Sequence, residues 1–325
     1  MSLDDILAKF SPDETRGYEI FFPFALRKIR QAISDKQRFV HYTSADTALN
    51  ICRKPEIWLR KSNCMNDFME IEYGLECLNY ALSQNKEKIR SILDGLHEGT
   101  FDRSVEWYNG WLSHFRNDTY IFCISEHYPE EDSMGRLSMW RAYGGDTGVA
   151  LVLNPEVILT PSEALNAHSS PVAYFSKEQA STELSNLLDN IANNKDYILQ
   201  KGENYLHNSM CEVFRMSTLC MKHPGFREEA EWRVIYSPQY SESSAIKRSI
   251  QSIGGVIQPV YAIPLKDMPE SGLNNLEIPQ LVERVIIGPT EFPDVIAEAM
   301  ADLLSSVGVT EPKKRVFTSD IPLRR

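Results

Sequence analysis

The sequence predicts a single α+β domain in which short strands alternate with long helical insertions. Runs rich in β-branched and aromatic residues recur at irregular intervals, as in RFVHYT, TYIFCIS and GVALVLN. Two stretches, at about residues 67–117 and 177–222, carry apolar residues at helical spacing instead. No Gly/Ser-rich or Pro-rich linker divides the chain, and no period repeats. The irregular spacing of the strands argues against a regular βαβ array.

The N-terminal segment is predicted to be helical. LDDILAKF and FFPFALRKIRQAIS carry apolar residues at helical spacing, and the second is basic on its other face. We expect residues 1–36 to form a helical arm and residues 37–325 to form the α+β domain. After RFVHYT, Ser44 is a suitable N-cap for the helix SADTALNICRK, and EIWLR follows as a second short strand.

The second half of the chain predicts the remaining strands. EWRVIYS, GGVIQPVYAI and LVERVIIGP are β-rich runs, and PDVIAEAMADLLSSVG predicts a helix before a last strand in KKRVFTS. The pairs Gly144-Gly145 and Gly254-Gly255 predict turns, because no G-x-G-x-x-G or P-loop pattern surrounds them. A Rossmann or P-loop nucleotide site is therefore not expected.

Charge and composition exclude several classes of protein. The 325 residues include 34 Lys and Arg against 45 Asp and Glu, a net charge of −11, which argues against a protein that coats nucleic acid. No window reaches the roughly 18 uninterrupted apolar residues of a membrane helix, and the acidic N-terminus differs from a signal peptide. We expect a cytoplasmic protein with no membrane partner. The six cysteines lack C-x-x-C spacing, so we expect buried free thiols and no metal.

Two polar clusters lie near the first predicted strands. His41 and Tyr42 end the first strand and point to opposite faces, where they are either ligand contacts or a half-buried histidine and a core tyrosine. Asn66, Asp67 and Glu70 precede a predicted helix in the pattern of a capping box. Asn66 is also a candidate ligand contact, since helix N-termini bind anions.

A third cluster surrounds the strand TYIFCIS. Ser125 ends this strand, and Trp140 and Tyr143 follow at i, i+3 spacing on a predicted short helix. Their rings would share one face and either stack on a purine or nicotinamide ring or belong to the core. Arg141 and the adjacent glycines are consistent with ligand binding.

The fourth cluster is FREEAEWRV, where a charged run enters a predicted strand. Glu229 and Glu231 are two residues apart, so on an extended backbone they point to the same face and raise each other's pKa. Such a pair suggests a functional site. In the alternative interpretation, Arg227 and Arg233 neutralise the two glutamates at a solvated strand edge.

The order of these motifs resembles that of a bacterial family, domain of unknown function 2971. The resemblance extends from about His41 to Pro289. It is carried by H-Y-T-S, N-D-x-x-E, C-x-S-E, M-W-x-x-Y-G, G-V-A-L, E-x-E-W-R-V and I-I-G-P. This family name implies no activity.

The same order is similar, more distantly, to that of the ADP-ribosyltransferase superfamily, which places a His or Arg, a hydroxyl residue and a late Glu on successive strands. His41, Ser125 and Glu231, with Glu229 as the first Glu of E-x-E, fall in this order. The resemblance implies a mixed, mainly antiparallel split sheet with helical insertions. It also implies NAD as substrate and cleavage of the nicotinamide N-glycosidic bond, with an acceptor that the sequence does not identify.

Each candidate residue has a role under this resemblance. Glu231 stabilises the ribosyl cation, His41 orients the ribose, and Glu229 positions or deprotonates the acceptor. Tyr42 or Trp140 stacks on a ring. A toxin or phage-defence effector would fit such an activity.

Two other functions are open at this point. In the first, the protein is a non-enzymatic nucleotide-sensing or protein-interaction module, in which the glutamates of the fourth cluster only form ion pairs. In the second, a metal-dependent nuclease, Asp67, Glu70, Glu229 and Glu231 hold divalent ions. A measurement of NAD consumption by the purified protein would distinguish the NAD-cleaving enzyme from the non-enzymatic module. An activity that depends on magnesium or manganese would favour the nuclease.

Overall fold

The computed structural model describes residues 11–65, 70–160, 162 and 164–323, and in this part of the chain ten strands form one sheet. The strands are β1 (Arg38–Ser44), β2 (Glu56–Lys61), β3 (Tyr120–His127), β4 (Gly148–Leu153), β5 (His168–Pro171), β6 (Glu231–Tyr236), β7 (Lys247–Ile253), β8 (Val256–Pro264), β9 (Val282–Ile287) and β10 (Val316–Thr318). β9 and β10 pair in parallel, and the other described pairs are antiparallel. The predicted α+β class with a mixed, mainly antiparallel sheet is confirmed.

The pairing of β3 divides the sheet. One edge of β3 pairs with β6 along Tyr120–Ser125. The other edge pairs with β1 at one end, where Val40 lies opposite Ser125, and with β2 at the other end, where Arg60 lies opposite Ile121. Between these two contacts β1 and β2 diverge, so the sheet is split along this edge of β3.

Two wings extend from the split. On one side β1 is followed by β4, β9 and β10, and on the other side β2 is followed by β8 and β7. β5 pairs with the outer edge of β6. The split therefore lies in the middle of the sheet, and the wings form its two walls.

The described helices lie between strands in sequence, except for two that precede the first strand. They are α1 (Pro12–Phe21), α2 (Pro23–Ser34), α3 (Ala45–Arg53), α4 (Glu70–Gln84), α5 (Lys86–Leu96), α6 (Thr100–Asn117), α7 (Leu137–Tyr143), α8 (Pro155–Leu159), α9 (Lys177–Asn193), α10 (Lys195–Lys201), α11 (Glu203–Leu219), α12 (Ile278–Leu281) and α13 (Pro293–Ser306). None of the helices in the described ranges is long and apolar enough to cross a bilayer.

The two predicted helical insertions pack together on one face of the sheet. They correspond to α4–α6 and α9–α11, with α9 against α4, and α11 against both α4 and α6. Their apolar core includes Leu188 and Phe214, and it is joined by Ile121 of β3 and Ile235 of β6. The insertions are therefore anchored to the two central strands.

The opposite face carries a second core. Phe39 of β1, Trp232 of β6 and Val285 of β9 lie in it, together with residues of α3 and α13. Successive residues of β3 and β6 contribute alternately to the two cores, because successive side chains in a strand point to opposite faces.

The N-terminal helices are tied to both cores. The Ser11 hydroxyl accepts from the Glu14 N–H in a capping box that starts α1. Phe21 enters the core of the helical insertions, and Ile33 enters the core of the opposite face. These helices are therefore packed into the protein along their length. The predicted helix LDDILAKF lies within residues 1–10, outside the described residues.

The edge strand β7 was not predicted from the sequence. Its residues, KRSIQSI, are mostly polar, and Ile250 is exposed. β7 pairs with β8 across a turn at Gly254 and Gly255, whose φ angles are 58° and 79°. The turn expected at this glycine pair is confirmed, and it sets the hairpin at the end of one wing.

We expect Gly74→Ala to destabilise the protein. A Cβ at Gly74 of α4 would lie 2.2 Å from the carbonyl oxygen of Thr218 on α11, so the two helices would have to separate. Overpacking of this kind costs about 1–3 kcal/mol, which should appear as a lower free energy of unfolding in urea. Gly110→Ala in α6 is the control, because its Cβ would meet nothing within 4 Å. It should stabilise by about 1 kcal/mol, and equal effects of the two changes would contradict the packing.

Candidate functional site

A cleft opens where β1 and β2 diverge from the edge of β3. Its volume is about 640 Å³, within the range of roughly 300–1,000 Å³ that is usual for ligand sites. Of the eight residues predicted as site residues, six line this cleft. They are His41, Tyr42, Ser125, Tyr143, Glu229 and Glu231.

Two glutamates and a lysine form the charged centre of the cleft. Lys222 Nζ lies 2.7 Å from Glu229 Oε2 and 3.0 Å from Glu231 Oε2. Glu231 Oε1 also accepts a hydrogen bond from Arg233 Nε at 2.8 Å. Lys222, Glu231 and Arg233 are buried, whereas Glu229 is half-buried. Two positive side chains thus balance two negative ones.

A tight turn brings the two glutamates together. A 3₁₀ helix covers Pro224–Glu229, Ala230 then has a left-handed φ of 43°, and β6 begins only at Glu231. The prediction that both glutamates share one extended strand is therefore wrong. Their side chains still converge, because the turn at Ala230 directs both towards the Lys222 ammonium.

The two carboxyl groups have opposite pKa shifts. Burial opposes the ionisation of Glu231, but the charges of Arg233 and Lys222 outweigh it and hold its pKa well below the usual range. Burial raises the pKa of Glu229, and the negative charge of Glu231 raises it further, against the attraction of Lys222. Glu229 is therefore the stronger base of the pair.

The arginines of the fourth cluster behave differently from each other. Arg233 pairs with Glu231, as the ion-pair interpretation expected. Arg227 is exposed, and its Nε donates to the carbonyl of Pro224 at 3.0 Å. Lys222 takes the place expected for Arg227. Lys222 is not predicted from the sequence as a site residue, because it follows α11 and lies outside the charged run.

His41 lies directly at the split. Its ring centroid is 4.5 Å from that of Phe122, and its Nδ1 is 3.0 Å from the Cys123 carbonyl oxygen. Since a carbonyl only accepts, we assign the proton to Nδ1. Burial lowers the pKa of His41 to about 4, although the hydrogen bond to Cys123 opposes this shift. The ring is therefore neutral at pH 7, and Nε2 is an acceptor.

Ser125 and Tyr143 both approach the charged centre. Ser125 is buried and lies directly opposite Glu231 in the β3–β6 register, so their side chains share one face. Tyr143, the last residue of α7, donates its hydroxyl to Glu229 Oε1 at 3.1 Å. Burial and the charge of Glu229 raise the pKa of Tyr143, so it remains a donor at neutral pH.

Trp140 lies outside the cleft. Its side chain is fully buried, and its Nε1 donates to the Met134 carbonyl at 2.8 Å. A Cβ on Gly135 or Gly288 would come within 2.6 or 2.8 Å of its ring. The predicted role of Trp140 in stacking on a ligand is wrong, because protein atoms enclose the indole.

Tyr42 lies between the buried Trp140 and the cleft. Its ring packs edge-to-face on Trp140 at 4.8 Å between centroids, and its hydroxyl accepts from the Arg136 N–H at 2.8 Å. Tyr42 is 5% exposed, so only an edge of the side chain reaches the cleft. It supports the wall, and little of its ring is free to stack.

The second polar cluster cannot be placed in the cleft. Asn66 and Asp67 lie outside the described residues, and so does the side chain of Glu70. Among the residues that the structure does describe, no three His, Cys, Asp or Glu side chains are grouped as metal ligands. Glu229 and Glu231 share an ammonium, which occupies the position where a nuclease would hold a cation.

The tip of the β7–β8 hairpin forms one rim of the cleft. Ser252, Ile253 and Gly254 line it from this side. On the hairpin, Val256 and Ile257 are 55% and 78% exposed. The rim is therefore an apolar projection joined to the sheet by β8.

Residues 139–234 match the model of a family described as Protein of unknown function (DUF2971). We refer to these matched residues as the DUF2971 region. It contains most of α7, the insertion α9–α11 and the start of β6, and with them Tyr143, Lys222, Glu229 and Glu231. His41 and Ser125 lie outside the DUF2971 region. Neither a curated protein nor a solved structure matches the chain.

We expect Lys222→Met to destabilise the protein at pH 7 by about 3–5 kcal/mol, because it leaves the buried Glu231 and the half-buried Glu229 without their shared cation. Without Lys222, the pKa of Glu229 rises further above its unfolded value. The resulting loss is full above the raised pKa and shrinks as the pH falls from there towards the unfolded pKa. The deficit relative to wild type should therefore be smaller at pH 5 than at pH 7.

Urea denaturation at both pH values measures this effect. Lys177→Met is the control, because Lys177 pairs with Glu76 at the surface and should contribute little at either pH. A Lys222→Met deficit that is the same at pH 5 and pH 7 would contradict the electrostatic explanation.

Proposed function

We propose that the DUF2971 region and the strands around it form an NAD-cleaving enzyme, either an ADP-ribosyltransferase or an NAD glycohydrolase. One observation carries the proposal: His41, Ser125 and Glu231, which are far apart in sequence, line one cleft at the split of the sheet. Their order along the chain resembles that of the ADP-ribosyltransferase superfamily, whose substrate is NAD.

The reaction breaks the bond between ribose C1′ and the nicotinamide nitrogen. The electron pair stays on the nitrogen, so nicotinamide leaves as a neutral molecule and positive charge develops on the ribose. A nearby carboxylate stabilises that transition state more than the ground state. Water or an acceptor group then attacks C1′ and gives up its proton to a base. The products are nicotinamide and ADP-ribose, free or attached to the acceptor.

We assign the base and the stabilising carboxylate to Glu229. Its side chain is 15% exposed, against 4% for Glu231, and its pKa is raised. Glu231 already has both oxygens bound by cations, through Lys222 and Arg233, so its charge is compensated. Glu231 is then a positioning residue. Glu229 thus keeps the role of base that the resemblance implies and also takes over the stabilising role that the resemblance gives to Glu231.

The neighbours of the glutamates complete the assignment. Tyr143 holds Glu229 through one oxygen, and Lys222 holds the other. His41 is neutral, with Nδ1 bonded to Cys123, so its Nε2 is free of a proton and suited to accept a ribose hydroxyl. These residues orient the substrate, and no step needs a metal.

NAD at about 1 mM, the upper end of usual substrate constants, should raise the melting temperature of the wild-type protein. His41→Ala should reduce that shift, because it removes the acceptor at the split. His114→Ala, an exposed change on α6, is the control and should preserve the shift. A folded wild-type protein with no shift, or a full shift in His41→Ala, would contradict NAD binding at this site.

Glu229→Gln should lower the rate of nicotinamide release about 100-fold or more, while folding and NAD binding persist, because the charge and the base are lost. Wild-type activity should fall as the pH drops through the pKa of Glu229, which lies above the ordinary glutamate value. Glu228→Gln, an exposed neighbour, should be nearly as active as wild type.

Glu231→Gln separates the two assignments. It should lower the free energy of unfolding as well as the rate, because it releases Lys222 and Arg233 in the interior. If Glu231→Gln is as stable as wild type but inactive, and Glu229→Gln is active, the sequence-based assignment of Glu231 as the catalytic carboxylate is correct and ours is wrong.

The ion pairs also favour a second candidate, a nucleotide-sensing module. Both glutamates contact Lys222, which stabilises the cleft without any chemistry. In this case the protein binds NAD or ADP-ribose saturably and releases no nicotinamide. Following binding and nicotinamide release in the same sample distinguishes the two functions.

A further inference from the structure

Strand β2 places a second cation in the cleft. Arg60 is half-buried and lines the cleft wall. Its Nη2 donates to the Cys64 carbonyl at 2.8 Å, and its Nε donates to Gln258 Oε1 at 3.4 Å. Both acceptors are neutral. Within the described ranges, no carboxylate lies within 4 Å of this guanidinium. A partly desolvated guanidinium without a counterion is stabilised by a bound anion.

Arg60 and the glutamates lie on the same side of the sheet, at opposite ends of the split. Arg60 is opposite Ile121 of β3, and Glu231 is opposite Ser125. Residues 121 and 125 point to the same face, because they are an even number apart. Four residues of strand correspond to about 13 Å. The cleft therefore has a carboxylate pair at one end and an arginine at the other.

Trp58 adds an aromatic ring beside Arg60. The two residues are two apart on β2, so they share a face with about 6.6 Å between their backbone positions. Trp58 is half-buried, lines the cleft, and donates Nε1 to Glu56 Oε1 at 2.7 Å. This hydrogen bond holds the indole in place. Burial lowers the pKa of Arg60, which marks its site as one where an anion would be stabilising.

We propose that Trp58 and Arg60 form the phosphate-and-base subsite of the cleft. Arg60 binds a phosphate of a nucleotide through its guanidinium, and the Trp58 ring stacks on the base. The ligand class is a nucleotide with at least one phosphate. The identification of that nucleotide as NAD rests on the proposed function, but the subsite itself does not. It lies outside the DUF2971 region, on β2.

ADP-ribose is the probe, because it carries the phosphates and the base but has no nicotinamide bond to break. Its affinity is measured by calorimetry at low and high salt. Arg60→Gln should weaken binding about tenfold or more and reduce the salt dependence. Trp58→Leu should weaken binding about five- to a hundredfold, whereas Trp58→Phe, which keeps a ring, should lose much less.

Arg141→Gln is the matched control. Arg141 is exposed on α7 and does not line the cleft, so the same loss of charge there should preserve the affinity. Inorganic pyrophosphate and adenosine separate the two parts of the subsite. Arg60→Gln should weaken the binding of pyrophosphate, and Trp58→Leu should weaken the binding of adenosine. Equal ADP-ribose affinities for wild type, Arg60→Gln and Arg141→Gln would overturn the proposal.

The result is distinguishable from failure of the proposed function. If ADP-ribose binds through Arg60 but NAD is not cleaved, the subsite stands and the enzymatic function fails. If NAD is cleaved and Arg60→Gln keeps the wild-type KM, the function stands and the subsite fails. A folded wild-type protein that does not bind ADP-ribose overturns the subsite whatever the activity.

Discussion

The cleft exists because two strands pair with the same edge of β3. β1 occupies one end of that edge and β2 the other, so neither covers the middle. A backbone edge that no strand covers still needs hydrogen-bond partners. His41 supplies one, since its imidazole binds the Cys123 carbonyl. His41 in the cleft therefore has a structural role, which is to satisfy the backbone of β3, in addition to any contact with a ligand.

The helical insertions determine where the charges lie. α11 ends at Leu219, whose carbonyl accepts from the buried Arg233 guanidinium. The chain then runs beside Ala173, which exchanges backbone hydrogen bonds with Cys220 and Lys222. This backbone pairing places the Lys222 ammonium against the two glutamates. A buried lysine with two carboxylate partners is costly to expose and costly to unpair, so this part of the cleft is rigid.

The distribution of charge gives the cleft a direction. Glu229, Glu231, Lys222 and Arg233 form a compensated group at one end, in which only Glu229 is partly exposed. Arg60 lies at the other end with neutral partners. A ligand with a cationic ring and an anionic phosphate would be stabilised in one orientation and not in the other. NAD, the substrate that we propose, has both groups.

The sequence by itself determined the α+β class, the helical insertions and six of the polar and aromatic residues that line the cleft. Strands such as TYIFCIS and the helices on either side have strong periodicities, and polar residues at strand ends are read directly from the chain. Trp140 was misplaced because the same i, i+3 spacing suits a binding face and a core, and only the three-dimensional packing shows that its indole is enclosed. The edge strand β7 was not predicted because its sequence does not alternate between apolar and polar residues. It is a strand because its backbone pairs with β8.

Only the tertiary structure decided which charges meet. Lys222 lies seven residues before Glu229 and outside any motif, and it reaches both glutamates because a left-handed turn at Ala230 breaks the strand between them. No motif in the sequence marks Arg60, and its proposed role depends on a partly buried position across the split. Such contacts join distant segments, and local periodicity carries no information about them, because it reports the face on which a side chain lies and not its partner.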